Sequence, residues 1–338
     1  MCFLKRLRAS FWIGFVIFCV TGNTYADHPT MGLLPEMAGP IVTIPAVVLP
    51  QHGWSLGFRL ELIQFDEFSD AELEKFAEED RDVHSLDRLV SPSLAFAYGL
   101  TDHFTMGLRL PHVERKDIRE AHHDEEEHGD VENLGDATGI GDLSVFGQYR
   151  VLHRPQSGMH GTLLFGLKMP TGQTDEENSE GERFEAEHQP GSGSWDPMMG
   201  LAFTRQMGAL CLNANVLYVL AIEGSQDTDL GDAFSYNLAL SFRLPEMGHA
   251  HQNDEVHSHA TLDLILEANG EWRARQEARG EEDPNTGGDL LYVSPGIRLS
   301  MDHGLSLSLS FGIPVWEDLN GVQSEPDYRV ILSVGVGR

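Results

Sequence analysis

The sequence predicts an all-β protein, a transmembrane antiparallel β-barrel of about twelve strands with long acidic external loops. Three observations carry this expectation. Nearly every segment past residue 50 alternates apolar with small or polar residues; in 305–315, Leu305, Leu307, Leu309, Phe311, Ile313 and Val315 share one face, and Ser306, Ser308, Ser310 and Gly312 the other. A period of two is a strand with one apolar face. The first residues read as an export signal, and the connections between strands alternate short and long, as in outer-membrane barrels.

The signal is expected over residues 1–26. Lys5, Arg6 and Arg8 form a basic start, Phe11 to Val20 is a short apolar run, and Thr24-Tyr25-Ala26 offers a small-x-small cleavage site. The run is too short to cross a bilayer as a helix. Cys2 and Cys19 leave with the signal, so Cys211 has no intramolecular partner and reads as a small wall hydrophobe. Residues 27–53 carry Pro29, Pro35, Pro40, Pro45 and Pro50, too many for a central strand. They are expected to form a periplasmic lead-in, or a plug tucked into the lumen. The barrel then occupies 54–338.

Twelve strands follow, at 54–62, 94–100, 104–112, 142–151, 162–171, 195–203, 210–220, 234–244, 261–268, 290–299, 305–315 and 328–336. Each has about the 9–11 residues that a tilted spanning strand requires. With a periplasmic N-terminus, the connections near 66–90, 113–139, 172–194, 221–233, 269–289 and 316–327 face outward. The connection 245–260 falls on the periplasmic side although it is long. Aromatic residues should form two belts at the membrane interfaces: Trp54, Tyr98, Phe104, Tyr149 and Phe242 on the periplasmic side, and Trp195, Tyr218, Phe234, Trp316 and Tyr328 outside. In the first external loop, Ser69-x-x-Glu72 is a capping box ahead of Leu73, Phe76 and Ala77, which predicts a short amphipathic helix over the rim.

Charge narrows the partners. The chain has 53 acidic against 23 basic residues and a formal charge of −30, which excludes nucleic acid. The acids crowd into the loops, facing a surface rich in divalent cations. The expected partners are a small-molecule solute, outer-membrane lipids and lipopolysaccharide, and the outer-membrane assembly machinery. The expected location is the outer membrane of a Gram-negative bacterium.

Strand parity places Arg59, Glu61, Arg109, Asp142, Arg150, Lys168, Arg243, Asp263, Glu267, Arg298 and Arg329 on the lumen face, with Asn213, Asn215 and Asn237 among them. Such groups are either interlocked scaffolding or the filter of a thin aqueous path, since buried charge must be paired or wet. Two histidine tracts add a second theme. His122, His123 and His128 lie in an external loop, and His249, His251, His257 and His259 in the long periplasmic connection. In extended chain, residues two apart point the same way, so each His-x-His pair offers two imidazoles to one ion. Zinc, copper and nickel suit that donor set. Asp227, Asp229 and Asp232 form a faint calcium-like pattern. No nucleophile constellation is visible, so an enzyme is not expected.

Four stretches resemble a known family: Tyr98-Gly99-Leu100-Thr101-Asp102-His103, Gly139-Ile140-Gly141-Asp142-Leu143, Gly166-Leu167-Lys168-Met169-Pro170-Thr171-Gly172, and Pro190-Gly191-Ser192-Gly193-Ser194-Trp195-Asp196-Pro197. Their order and spacing are similar to the outer-membrane proteins named for the MetA pathway of phenol degradation. The resemblance implies a barrel associated with uptake or efflux of small, often aromatic compounds. The expected function is therefore an outer-membrane channel for passive passage of small organic solutes. The alternative is a metal-binding surface protein whose barrel is mainly an anchor.

Overall fold

The fold was analysed in a computed structural model, which describes residues 39–338 apart from 80, 82, 124–128 and 246–259. The expected signal peptide lies outside the described residues. The described residues build twelve wall strands: β1 Trp54–Asp66, β2 Arg88–Thr101, β3 Phe104–His123, β4 Ser144–Arg154, β5 Met159–Lys168, β6 Asp196–Met207, β7 Leu210–Val219, β8 Ala233–Arg243, β9 Thr261–Arg273, β10 Gly288–Ser300, β11 Leu305–Leu319 and β12 Glu325–Gly337. Each pairs antiparallel with its neighbours in sequence, and β12 pairs with β1 from Ser55↔Gly337 to Asp66↔Glu325. Backbone bonds of 2.9 Å in both directions between Trp54 and Arg338 complete the seam. Closure leaves no unpaired edge, the condition for a sheet to sit in hydrocarbon.

The alternation sorts the two faces. Leu56, Phe58, Leu108, Leu201, Leu238, Leu266, Ile297, Leu309 and Leu332 point outward and are exposed, while Ser55, Arg59, Glu61, Ser91, Ser93, Thr105, Ser308 and Ser333 point inward and are buried. An apolar band of this extent is hidden from water by lipid. The belts follow from register: Trp54 lies opposite Tyr98, Phe104 opposite Tyr149, and Phe234 between Tyr218 and Trp272. No described helix is long and apolar enough to cross a membrane. Leu201 lies at the middle of β6 and is 53% exposed. Leu201→Arg is expected to destabilise the barrel by about 2–4 kcal/mol, the cost of a cation on the lipid face near the midplane. Urea unfolding in lipid vesicles measures it, and an unchanged midpoint would remove lipid from that face.

Several strands run further outward than the alternation indicates. β3 continues to His123 and pairs with a returning arm, Gly129–Ile140, in a region expected to be loop. Its inner half instead pairs with β4, from Phe104↔Tyr149 to Arg109↔Ser144. The pattern is hidden because the register slips around Asp117, whose φ is +55°. Such an irregularity breaks a period of two without ending the ladder. β9 to β12 likewise extend past their expected outer ends. Above the lipid neither face needs to be apolar, so the ladder outlasts its sequence signal. In the other direction, β4 begins at Ser144 and β5 ends at Lys168, which leaves Asp142 and Thr171 outside the strands where 142–151 and 162–171 had placed them.

These extensions enclose a core of their own outside the membrane: Ile63, Phe65, Leu86, Leu89, Val113, Ile118, Leu134, Ala137 and Phe184. The rim helix forms at Asp70–Glu78, and the Glu72 carboxylate accepts from the Ser69 N–H at 2.9 Å and its hydroxyl at 2.7 Å. Its buried Leu73 and Ala77 pack with Val83 and Ala121. A small sheet of Thr228–Asp229, Glu277–Ala278 and Glu281–Glu282 ties two further external loops together.

Candidate functional site

The lumen is crossed in its periplasmic half by residues 39–50, a bent strap that joins no sheet. A backbone inside a barrel still needs partners for its polar groups. Here lumen side chains supply them. The Glu267 carboxylate accepts from three successive N–H groups, those of Ile41 (3.1 Å), Val42 (3.0 Å) and Thr43 (2.9 Å). Asn215 Oδ1 accepts from Ile44, Thr204 from Ala46 and Thr105 from Leu49, each at 2.8 Å. In return Arg59 donates to the Ile41 carbonyl (2.8 Å), Arg298 to those of Gly39 and Pro40, and Gln148 to that of Pro45 (2.6 Å). Pro40, Pro45 and Pro50 bring no N–H to satisfy. Consecutive N–H groups converging on one carboxylate make a compact anion cradle, which accounts for a charge as deeply buried as Glu267.

The strap is also held by apolar contact. Ile44 and Ala46 pack on a patch of inward-facing wall residues that includes Phe146, Leu164, Met198, Leu217 and Val219. Ile41 and Val42 pack on Ile265 and Ile331.

Above the strap, three of the four sequence motifs meet at Asp142. Its Oδ1 accepts from Thr171 N (3.1 Å) and Gly172 N (2.8 Å), and its Oδ2 from Ser192 N (2.8 Å) and Ser192 Oγ (2.7 Å). Lys168 bridges Asp142, at 3.8 Å, and Asp196. The two loop backbones cross so closely that a Cβ on Gly172 would lie 2.7 Å from the Gly191 Cα, and one on Gly191 2.6 Å from the Gly172 Cα. Both positions therefore require glycine. This junction folds the loop between β5 and β6 inward over a chamber of about 120 Å³, lined by Arg109, Arg115, Asp142, Lys168, Gln189 and Asp196 among others. Arg115 donates to the carbonyls of His188 (3.4 Å) and Gln189 (3.2 Å).

Of the residues that parity placed on the lumen face, Arg59, Glu61, Arg109, Asp142, Asp263, Glu267, Arg298 and Arg329 are buried. Arg59, Glu267 and Arg298 hold the strap. Arg329 stacks 4.2 Å over the Tyr292 ring and donates to Asn269 (3.1 Å) and Ser294 (3.3 Å). Lys168 and Arg150 are half-buried, and Arg243 is exposed at the periplasmic rim, paired with Asp263 at 2.8 and 3.1 Å. The side chains of His122 and His123, and all of His128, His249, His251, His257 and His259, lie outside the described residues. Asp229 accepts from Gly231 N within its turn (2.9 Å), and Asp232 accepts from Ala221 N across the loop (2.8 Å). Among the described residues one group has metal-ligand geometry: His84, Glu187 and His188, in a second cavity beside the chamber. Sequence reasoning missed it, because a histidine and a His–Glu pair a hundred residues away carry no common spacing.

The closed twelve-strand wall, its lipid-facing band and its polar interior define an outer-membrane β-barrel of a Gram-negative bacterium. The chain belongs to the family of the MetA-pathway of phenol degradation, which it matches over residues 118–319. Among solved structures it is similar to an outer-membrane channel from Pseudomonas putida F1, with 14% identity, a TM-score of 0.52, and coverage of 87% of this chain and 98% of that one. The β domain of the Bordetella autotransporter BrkA aligns at 12% identity and TM-score 0.43, covering 85% and 100%. LpxR from Salmonella typhimurium aligns at 10% identity and TM-score 0.40, covering 83% and 99%. At 14% identity the likeness to the Pseudomonas channel is one of fold. No curated protein matches the chain.

Proposed function

We propose that the barrel is a passive outer-membrane channel for small organic solutes of single-ring aromatic size, closed at rest by the strap. The observation that carries this reading is the apolar patch of Phe146, Leu164, Met198 and Leu217 on the lumen wall, covered by Ile44 and Ala46. An apolar solute gains about 25 cal/mol for each Å² of surface it buries on such a patch, and a hydrated ion gains nothing. A benzene ring fits an apolar cavity of about 150 Å³, and the chamber above the strap, at about 120 Å³, has a similar size. The family's association with phenol degradation agrees with this chemistry. A solute would enter between the external loops, rest in the chamber with its polar substituent against Arg109, Lys168 or Asp196, and move to the apolar patch as the strap yields. No bond is made or broken, and the arginines and carboxylates act by orienting and filtering.

The test is current through planar bilayers. Glu267→Gln removes the charge on which three strap N–H groups converge. A hydrogen bond to a charged group is worth about 1.5–3 kcal/mol, so the open fraction should rise on the order of ten- to hundredfold. Phenol, by occupying the apolar patch, should interrupt the current in a dose-dependent way, and glucose at the same concentration should not. Absence of current in both proteins, or equal interruption by glucose, would overturn the proposal.

A further inference from the structure

We propose that His84, Glu187 and His188 form a site for a divalent transition-metal ion of the zinc class at the external end of the barrel. The site is independent of the channel reading and of the histidine tracts. His84 lies on a short strand, Val83–Ser85, held to β3 by pairing with Ala121, Glu120 and Arg119. Glu187 and His188 lie on the inward-folded loop between β5 and β6. An ion there would tie the first external loop to the loop that roofs the chamber.

The geometry suits tetrahedral coordination. Glu187 Oε1 is 3.3 Å from His84 Nδ1 and 3.6 Å from His188 Nε2. Ligand atoms at about 2.0–2.1 Å from zinc stand about 3.3–3.4 Å apart on a tetrahedron. All three ligand atoms lie within 4.8 Å of one another, so the remaining edge closes by side-chain rotation. The two imidazoles meet edge to face, with centroids 4.7 Å apart and planes at 84°. They line a cavity of about 130 Å³ with Glu185, Gln276 and Asp283, room for an ion and several waters. Two further carboxylates flank His84 Nε2, Glu120 at 3.6 Å and Glu185 at 3.8 Å. Gln276 bonds the Glu187 carboxylate, the kind of outer contact that orients a ligand.

The donor set selects the ion. Two imidazole nitrogens and a carboxylate suit zinc, copper or nickel, whereas calcium and magnesium take oxygen. Glu185 is half-exposed and gives a route from outside, where a net charge of −30 concentrates cations. Without metal a proton is the competing occupant. Burial opposes charge on His84, but the carboxylates of Glu120 and Glu187 outweigh it and hold the imidazole well above the ordinary histidine range. Burial likewise opposes charge on Glu187, and His84 and His188 hold it well below the usual carboxylate range.

The test is isothermal titration of ZnCl₂ into the full chain in detergent. Three proteins are compared with wild type: the double variant His84→Ala, His188→Ala; Glu187→Gln, which keeps the shape of the loop; and a variant with His122, His123, His128, His249, His251, His257 and His259 changed to Ser. Wild type and the tract variant should each bind one zinc ion tightly, undisturbed by excess CaCl₂. The double variant and Glu187→Gln should bind at least about 100-fold more weakly, the upper end of the cost of losing even an outer-sphere contact. Retention of tight binding by both site variants, its loss in the tract variant, displacement by calcium, or no tight zinc binding in wild type would overturn the proposal.

Discussion

Deletion of residues 39–48 should turn a mostly closed barrel into one with steady conductance, at least tenfold above wild type. The expectation rests on what holds the strap. Leaving the lumen exposes Ile41, Val42, Ile44 and Val48, all buried with the strap in place, at a cost of about 1.5–3 kcal/mol each. It also returns chain entropy of about 1–2 kcal/mol per residue. For the ten residues 39–48 the entropy, about 10–20 kcal/mol, exceeds the burial of the four side chains, about 6–12 kcal/mol, so occupancy depends on the bonds to Glu267, Asn215, Thr204, Arg59 and Arg298. Deletion removes all of them together and leaves the wall ladder intact. The shortened protein should therefore keep the heat-modifiable gel mobility of a folded barrel. Single-channel recording reads the outcome, and an unchanged conductance in a folded deletion protein would mean that the strap does not occlude the path.

Asp142→Ala should be the most damaging single substitution inside the lumen, costing about 3–5 kcal/mol, because several buried donors lose one charged acceptor together. The residue accepts from Thr171 N, Gly172 N, Ser192 N and Ser192 Oγ, and lies beside Lys168. Alanine leaves these buried donors without their acceptor. The loop between β5 and β6 should then swing out and become open to protease near Glu180, while the wall strands persist. Asp142→Asn, which keeps an acceptor oxygen but turns an amide toward other donors, should fall between the two. Both unfolding midpoint and protease half-life measure the effect. A D142A protein as stable and as protease-resistant as wild type would show that the three motifs do not meet for stability.

The wall was legible because each lipid-facing strand repeats a two-residue pattern that hydrocarbon enforces. Parity from Leu201 or Leu309 places every neighbour, and it identifies Arg59, Glu267 and Arg298 as inward without any contact being known. The motifs around Gly139, Gly166 and Pro190 were visible, but their convergence on Asp142 was not. That convergence depends on loop backbones crossing at Gly172 and Gly191, and crossing leaves no periodic trace. The strap was half legible: its prolines rule out a strand, yet nothing in 39–50 names acceptors as distant as Asn215 and Glu267. The paired arm 129–140 was lost for a different reason. Above the lipid no solvent imposes an apolar side, and the slip at Asp117 shifts the alternation where it does persist.

Because the strap is bound by side chains and not by a strand ladder, the molecule contains two kinds of protected amide. Those of the wall open to deuterium when sheet pairing fails, an event on the scale of global unfolding. Those of Ile41, Val42, Thr43, Ile44 and Ala46 open whenever the segment lets go, on its own clock. Exchange of the strap amides relative to the free-chain rate measures how often the segment lets go, and the wall amides separate that release from unfolding of the barrel, without any solute or applied voltage.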